Sequence, residues 1–289
     1  MVKSVSRTRV TTFKGNLPSG REDGLAVEEP LEIRIGGRSL TVVMRTPGHD
    51  MELAAGLLLS EGIVSSAGQI GAIAHCRDPK DPQHENVLDV RLVPGVSVDW
   101  RRLKRSFFSN TSCGLCGKTT IESVKVSTPP LPDDVDGAWV ALEVLFRLPR
   151  ALRAAQKVFE ETGGLHACGL FDERGKLLLL REDVGRHNAV DKTIGAALLS
   201  GMIPLSRHLV MVSGRASFEI VQKVLVARVP VVCAVSAPSS LAVDLAREAN
   251  MTLVGFLREK SFNVYSEAER IEGCRIAPVV AGGAAPLVS

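Results

Sequence analysis

Apolar and polar positions alternate from Leu31: Leu31, Ile33 and Ile35 are separated by Glu32 and Arg34, and the run from Leu40 to Met44 has the same strand character after Gly36-Gly37. A period of two gives a strand one buried face, and a glycine pair between two such runs predicts a hairpin. From Asp50 the spacing becomes helical through Leu53, Leu57 and Leu58, until Gly62 stops it. Alternation returns at Leu88, Val90 and Leu92. Together these elements predict a small α+β unit over residues 28–106.

A different order follows the proline-rich stretch TPPLPDD. A helical pattern covers 137–161, with an expected break at Pro149, a residue suited to the first position of a second helix, and a stop at Gly163-Gly164. Strands at 166–171 and 177–180 flank the turn DERG. Helices at 186–199, 218–226 and 240–249 then alternate with strands at 208–212, 231–236 and 252–256. This alternation predicts an α/β domain over 134–268, a central sheet with helices on both faces. Ligands of such sheets gather at strand ends and helix N-termini. Residues 1–27 and 269–289 show no periodicity, so a flexible basic arm and a loose tail are expected there, with residues 107–133 as a mobile loop and linker.

Composition narrows the function classes. With 45% apolar and 23% charged residues in 289, the chain can bury a sizeable core. A net charge of +3, one Tyr, two Trp and nine Phe offer little field and few stacking platforms, which argues against nucleic acid as a partner. No run of about eighteen uninterrupted apolar residues and no secretory signal is present, so a cytoplasmic protein with no membrane partner is expected. The six cysteines are spread along the chain and are expected to be reduced.

The segment SNTSCGLCGKTT, residues 109–120, holds Cys113 and Cys116 in a polar, glycine-containing loop. Such a pair can ligate a metal, cycle between dithiol and disulfide, or carry sulfur as a persulfide. A structural zinc site needs two more ligands, for which His166 and Cys168 are candidates. Against it stand the lack of a second Cys-x-x-Cys and an expected placement of His166 and Cys168 on opposite faces of their strand. A zinc deaminase signature fails because Glu85 follows His84 directly and Ser112 occupies the proline position. A phosphate-binding loop ending at Gly117-Lys118-Thr119 would need glycine at Ser112. A thioredoxin-like pair gains from Lys118, which favours a thiolate, and loses from the absence of a buried strand before it.

Two further constellations carry charge. In Glu182-Asp183-Val184-Gly185-Arg186-His187, Asp183 is a candidate helix cap, and Asp191, one turn beyond His187, is a candidate partner for the imidazole. Ser213-Gly214-Arg215-Ala216-Ser217 ends a strand and opens a helix, an arrangement suited to phosphate. Arg186, Arg215 and Lys223 are expected near one sheet edge. The run Arg101, Arg102, Lys104 and Arg105 is a solvated face or a steering patch for an anion, and Cys76, Cys233 and Cys274 read as packing residues.

The strings TSCGLCGK, GGLHACGLF, REDVGRHNAVDK, SGRASFEIVQKV and AVSAPSSLAVDLAREANMTLVGFLR, in this order, resemble the formate dehydrogenase accessory sulfurtransferases, the FdhD/NarQ family, from about Glu32 to Tyr265. The resemblance implies a cytidine-deaminase-like core and a homodimer. It implies a sulfurtransferase that takes sulfur from a cysteine desulfurase and passes it to the molybdenum bis(molybdopterin guanine dinucleotide) cofactor, a bound substrate, for the formate dehydrogenase catalytic subunit. No permanently bound metal is implied. Cys113 would carry the persulfide with Cys116 in support. Val254, Gly255, Phe256, Leu257, Arg258 and Glu259 would form the cofactor-binding segment, with Gly255 permitting close approach and Phe256 meeting the guanine. His166, Asp183, Arg186, His187, Ser213 and Arg215 would line the pocket, the arginines on phosphate. A non-catalytic chaperone that binds and delivers the same cofactor is the other reading.

Overall fold

The computed structural model describes residues 4–76, 84–101, 103, 128–132 and 137–274, a mixed α/β architecture with three sheets. Leu31, Ile33 and Ile35 all face inward from β3, as their alternation predicts. In chain order, β1 (Val5–Lys14) and β2 (Leu17–Ala26) pair alone. β3 (Glu29–Ile35) and β4 (Arg38–Arg45) form the predicted hairpin about Gly36-Gly37. With β5 (Ile70–His75) and β6 (Val87–Leu92) they make a four-stranded sheet ordered β4-β3-β6-β5.

The larger sheet is ordered β12-β11-β10-β9-β7-β8. Its strands are β7 (His166–Asp172), β8 (Leu177–Asp183), β9 (His208–Val212), β10 (Val231–Ala234), β11 (Thr252–Gly255) and β12 (Asn263–Ser266). The three middle strands β9, β10 and β11 run parallel, and β7 and β12 flank them antiparallel. The helices are α1 (Asp50–Ser60), α2 (Leu142–Ala155), α3 (Lys157–Thr162), α4 (Arg186–Leu199), α5 (Phe218–Val226) and α6 (Ser240–Glu248). Leu145, Leu148 and Leu152 of α2 pack with Phe171, Met211 and Cys233 on one sheet face. α4, α5 and α6 cover Leu170, Val210, Val232 and Leu253 on the other. Helices therefore lie on both faces, as the alternation predicts. No helix among the described residues is long and apolar enough to cross a membrane.

One apolar cluster runs from Leu31, Ile33 and Leu88 of the small sheet through α1 into α4 and β9, so both sheets share a core. α1 is buried along its length from Leu53 to Ser60 and crosses α4 at backbone distance. A Cβ on Gly56 would overlap the Asp191 carbonyl, and one on Gly195 would overlap the Glu52 carbonyl. Both glycines lie inside helices, where each costs about 1 kcal/mol relative to alanine. The close crossing explains their presence.

Two expectations need correction. The N-terminal arm is not loose but a hairpin in continuous register from Val5↔Ala26 to Lys14↔Leu17, turned at Gly15-Asn16. Thr8, Val10 and Thr12, β-branched at every second position, are the signal that its polar composition obscured. Near its base, Gly24 is so close to α3 that a Cβ there would lie 2.8 Å from the Glu161 carbonyl oxygen. Likewise, α2 does not break at Pro149. It continues to Ala155, because its buried stripe of Val144, Leu145, Leu148 and Leu152 holds it on the sheet despite the one N–H that proline lacks. The break falls at Gln156, where the Glu182 carboxylate of β8 accepts the Val158 and Phe159 N–H groups at 3.0 and 2.8 Å and so caps α3 from another element.

Gly56→Ala or Gly195→Ala is expected to destabilise the fold by about 1–3 kcal/mol or more through overpacking. Gly20→Ala, with nothing near its Cβ position, should stay within about 0.5 kcal/mol of the parent in urea unfolding.

Candidate functional site at the carboxyl edge of the sheet

Parallel strands β9, β10 and β11 end on the same side of the sheet, and each feeds a loop there. His166, the first residue of β7, and Asp183, the last of β8, pair with one another at this same edge. The loops brace each other through main-chain bonds. Ser236 N–H donates to the Gly214 carbonyl at 3.3 Å, Ser239 N–H to Ala216 at 3.0 Å, and Phe256 N–H to Ser236 at 3.2 Å. Arg258 donates to the carbonyls of Val235 and Leu257, which ties the last loop to its neighbour.

Most of the residues singled out by sequence meet here. A Cβ on Gly214 would lie 3.4 Å from His166 Nδ1 and 3.8 Å from Arg186 Cδ, so the absence of a side chain at 214 makes room for both groups. Arg186 Nε is buried and has no partner among the described residues. Arg215 is exposed. Ser213 Oγ accepts the Ala167 N–H at 2.9 Å, a brace between β7 and the loop after β9. His187 Nε2 lies 3.4 Å from Ser217 Oγ and 3.3 Å from Glu219 Oε2. Burial, then the charges of Lys223, Arg186 and His166, pull the His187 imidazole down to about 3, so it is neutral at physiological pH. Burial and Arg186 lower His166 against the opposing pull of Asp183. Two arginines, two neutral imidazoles and the open N-terminus of α5 suit an anion.

Several expected partnerships are rearranged. Asp191 does not orient His187. It turns into the core, where Lys223 Nζ donates to its two oxygens at 2.8 and 3.0 Å and Ser60 Oγ donates to it at 2.9 Å. Lys223 is therefore buried beneath the edge rather than on it, and Asp191 keeps it charged against the cost of burial. Asp183 is not the helix cap, a position held by Gly185. It is fully buried, accepts Gly185 N–H at 2.8 Å and Thr46 N–H at 3.2 Å, and pairs with Lys192 at 2.7 Å. The space beside Gly255 is filled by protein: Pro238 Cδ and Tyr265 Cε2 both lie 2.9 Å from its Cβ position. Val254 and Leu257 point into the core, whereas Phe256, Arg258 and Glu259 are exposed. Phe256 has a left-handed backbone at φ 52° and leaves 42% of its surface open. Glu219, contained in the string SGRASFEIVQKV but not singled out there, enters the site because its helix start brings it beside His187.

Cys113, Cys116, Lys118, Arg102, Lys104 and Arg105 lie outside the described residues. His166 and Cys168 are two apart on β7 and share a face rather than opposing one another. Cys168 and Cys233 are fully buried, and desolvation pushes both thiols up to about 12, so neither is a thiolate at neutral pH. Among the described residues, no group of three or more His, Cys, Asp or Glu could hold a metal ion.

The profile of the FdhD/NarQ family matches residues 26–272. The chain belongs to this family. Within FdhD/NarQ, a sulfur carrier protein FdhD of Streptomyces avermitilis is 50% identical over 273 residues, covering 94% of this chain and 97% of that protein. The sulfur carrier protein FdhD of Mycobacterium tuberculosis is also 50% identical over 273 residues, covering 93% and 99%. A crystal structure from Desulfotalea psychrophila, described as a formate dehydrogenase accessory protein, superposes with a TM-score of 0.71 at 24% identity, covering 93% of this chain and all of that one. It shows a shared fold. The family match leaves nearly all of the β1-β2 hairpin outside it.

Between pH 6.5 and about 3 the unfolded chain protonates His187 while the folded protein does not, so stability falls as pH falls through this window. The urea midpoint is expected to drop from pH 7 to pH 4, and His187→Gln should flatten the drop. Lys223→Met, which leaves Asp191 buried without its cation, is expected to cost about 3–5 kcal/mol in the same measurement at pH 7.

Proposed function

We propose that this protein is a sulfur carrier that takes a persulfide sulfur from a cysteine desulfurase and passes it to the molybdenum bis(molybdopterin guanine dinucleotide) cofactor required by formate dehydrogenase. The observation that carries this reading is the 50% identity to sulfur carrier proteins across 94% of the chain. Cys168 and Cys233 are held as buried thiols, and it is the resemblance in the TSCGLCGK string that puts the chemistry on Cys113 and Cys116. The Cys113 thiolate attacks the outer sulfur of the desulfurase persulfide; a new S–S bond forms on Cys113 as the donor's S–S bond breaks, and the donor cysteine leaves as thiolate. On delivery, Cys116 attacks Cys113 as a thiolate, an internal disulfide forms, and hydrosulfide leaves toward the cofactor. The two electrons that reduce the sulfur come from the dithiol.

The carboxyl edge supports the cofactor side of this reading. Arg186 and Arg215 suit phosphate, neutral His166 and His187 and the Ser217 hydroxyl suit hydrogen bonds, and exposed Phe256 suits stacking on guanine. The mixed sheet with helices on both faces supports a cytidine-deaminase-like core. A cytoplasmic homodimer that meets the formate dehydrogenase catalytic subunit belongs to the same proposal. The second reading, a non-catalytic chaperone for the cofactor, draws on the fact that the arginines, imidazoles and hydroxyl of the edge among the described residues suit binding of an anion without sulfur chemistry.

Intact mass after incubation with a cysteine desulfurase and cysteine separates the two. A thiol-reversible gain of about one sulfur, absent in Cys113→Ala, is expected, together with loss of formate dehydrogenase maturation by that variant. Full maturation by Cys113→Ala would overturn the carrier reading in favour of the chaperone.

A further inference from the structure

The outer side of α2 carries a row of cations to which the fold gives no counterions. Arg147, Arg150 and Arg153 stand three residues apart on α2, Lys157 opens α3, and all four are exposed. Positions three and four apart share a helix face, so each cation has another cation as its neighbour, an arrangement that destabilises a helix. None of the four joins an ion pair among the described residues. The carboxylates of the two helices lie beyond the ends of the row: Glu143 one turn before Arg147, and Glu160 and Glu161 after Lys157, where Glu161 takes Arg7 at 3.6 Å. Elsewhere exposed cations do meet carboxylates, as Arg21 meets Asp23 at 3.1 Å and Arg207 meets Glu173 at 2.8 Å.

Two of the four are already held in place. Arg147 Nη2 donates to the Arg174 carbonyl at 3.3 Å, in the turn between β7 and β8, and the Arg153 guanidinium lies 4.7 Å from the centre of the Phe159 ring. Side chains ordered in advance lose less freedom when a partner binds. The row also has a direction. Val144 of α2 lies 3.0 Å from the Cβ position of Gly175, in the turn at the amino edge of the strands, whereas Leu152 lies 2.7 Å from that of Gly169 in the middle of β7. α3 then starts under the Glu182 carboxylate, one residue from Asp183 and the carboxyl edge. The cations therefore lead from the amino edge toward the rim of the candidate site.

We infer that this row is the docking surface for an acidic face of the formate dehydrogenase catalytic subunit, the protein that must come to the carboxyl edge to meet the cofactor held there. This rests on the reading of that edge as the cofactor site. Charge complementarity selects the occupant. Guanidinium groups favour carboxylates, which they take with two parallel bonds. Each three-residue step along α2 advances about 4.5 Å, close to the roughly 5–6 Å between side chains three or four apart on a helix, so a partner helix with carboxylates at that spacing matches the row. No large apolar side chain of α2 or α3 is exposed, so this face has nothing to bury in a lipid surface. The Phe159 ring, with Arg153 over it, offers no free face to a base. Such a surface steers encounter and sets the orientation of the partner, and salt weakens it.

Binding of the full-length protein to the purified formate dehydrogenase catalytic subunit is measured by surface plasmon resonance at low and high salt. The triple variant Arg147→Glu, Arg150→Glu, Arg153→Glu should lose on the order of tenfold in affinity at low salt, mostly in the association rate, with the loss shrinking as salt rises. Arg150→Glu alone, which removes no contact within the fold, should lose about threefold, and Arg150→Lys should stay near the parent. Lys14→Glu, Arg91→Glu, Arg247→Glu, the same charge change at exposed positions elsewhere, should bind as the parent does. Loading of sulfur from a cysteine desulfurase should match the parent in every variant by intact mass. Parent-level affinity in both Arg150→Glu and the triple variant would overturn the inference, as would an equal loss in the control. So would a loss confined to desulfurase loading, or to binding of phosphatidylserine vesicles, which would assign the row to those partners instead. If the parent itself does not bind the catalytic subunit, the reading of this protein as serving that subunit fails and the docking surface fails with it; if the parent binds and only the row proves silent, the inference fails alone.

Discussion

Helices α1 and α4 touch backbone to backbone because Gly56 and Gly195 face one another's chains, and the rest of the molecule is arranged around that contact. A crossing this close leaves no side chains between the helices to adjust, so the relative position of the two sheets is fixed. The Lys223–Asp191 pair with Ser60 then ties α5 and α4 to α1 in one buried network. The Asp183–Lys192 pair, with Thr46, does the same between β8, α4 and the strand end after β4. Buried pairs of this kind add little net stability over apolar packing, but breaking one leaves a stranded charge, which makes the native arrangement hard to distort. Arg186 and His187 begin α4, and Ser217 precedes α5 without a side-chain bond that would close its N-terminus. The geometry of the candidate site therefore depends on two glycines and a lysine that never meet a ligand.

Much of the α/β unit was legible in the sequence because its strands and helices announce themselves locally. The helix expected at 186–199 has those bounds, and the order β9-α5-β10-α6-β11 follows from apolar runs broken by Gly, Pro and Ser. What escaped was set by partners distant in the chain. Pro149 reads locally as a break, yet burial holds the helix together, and the actual break is fixed by Glu182 on another strand. β12 has four residues and no alternation to betray it. The β1-β2 hairpin is largely polar, and a short alternation of Thr and Val is its only local mark.

The candidate site was read with the same mixture of success and failure. Residues on the loops after β8, β9, β10 and β11 do converge, because parallel strands deliver their ends to one edge whatever their separation in sequence. Charge partners did not follow from spacing. His187 and Asp191 lie one turn apart, but the longer reach of Lys223 from α5 takes the carboxylate, and His187 meets Glu219 instead. Periodicity fixes which face a residue occupies, and only the neighbouring element decides what it touches.

The mutual bracing of the edge loops has a thermodynamic consequence. Gly214, Ala216, Val235 and Ser236 spend their carbonyls on the adjacent loop, and Gly255 is wedged by Pro238 and Tyr265. Loops already ordered in this way surrender little conformational entropy when a ligand arrives, so an anion can be held there without a compensating change in their shape.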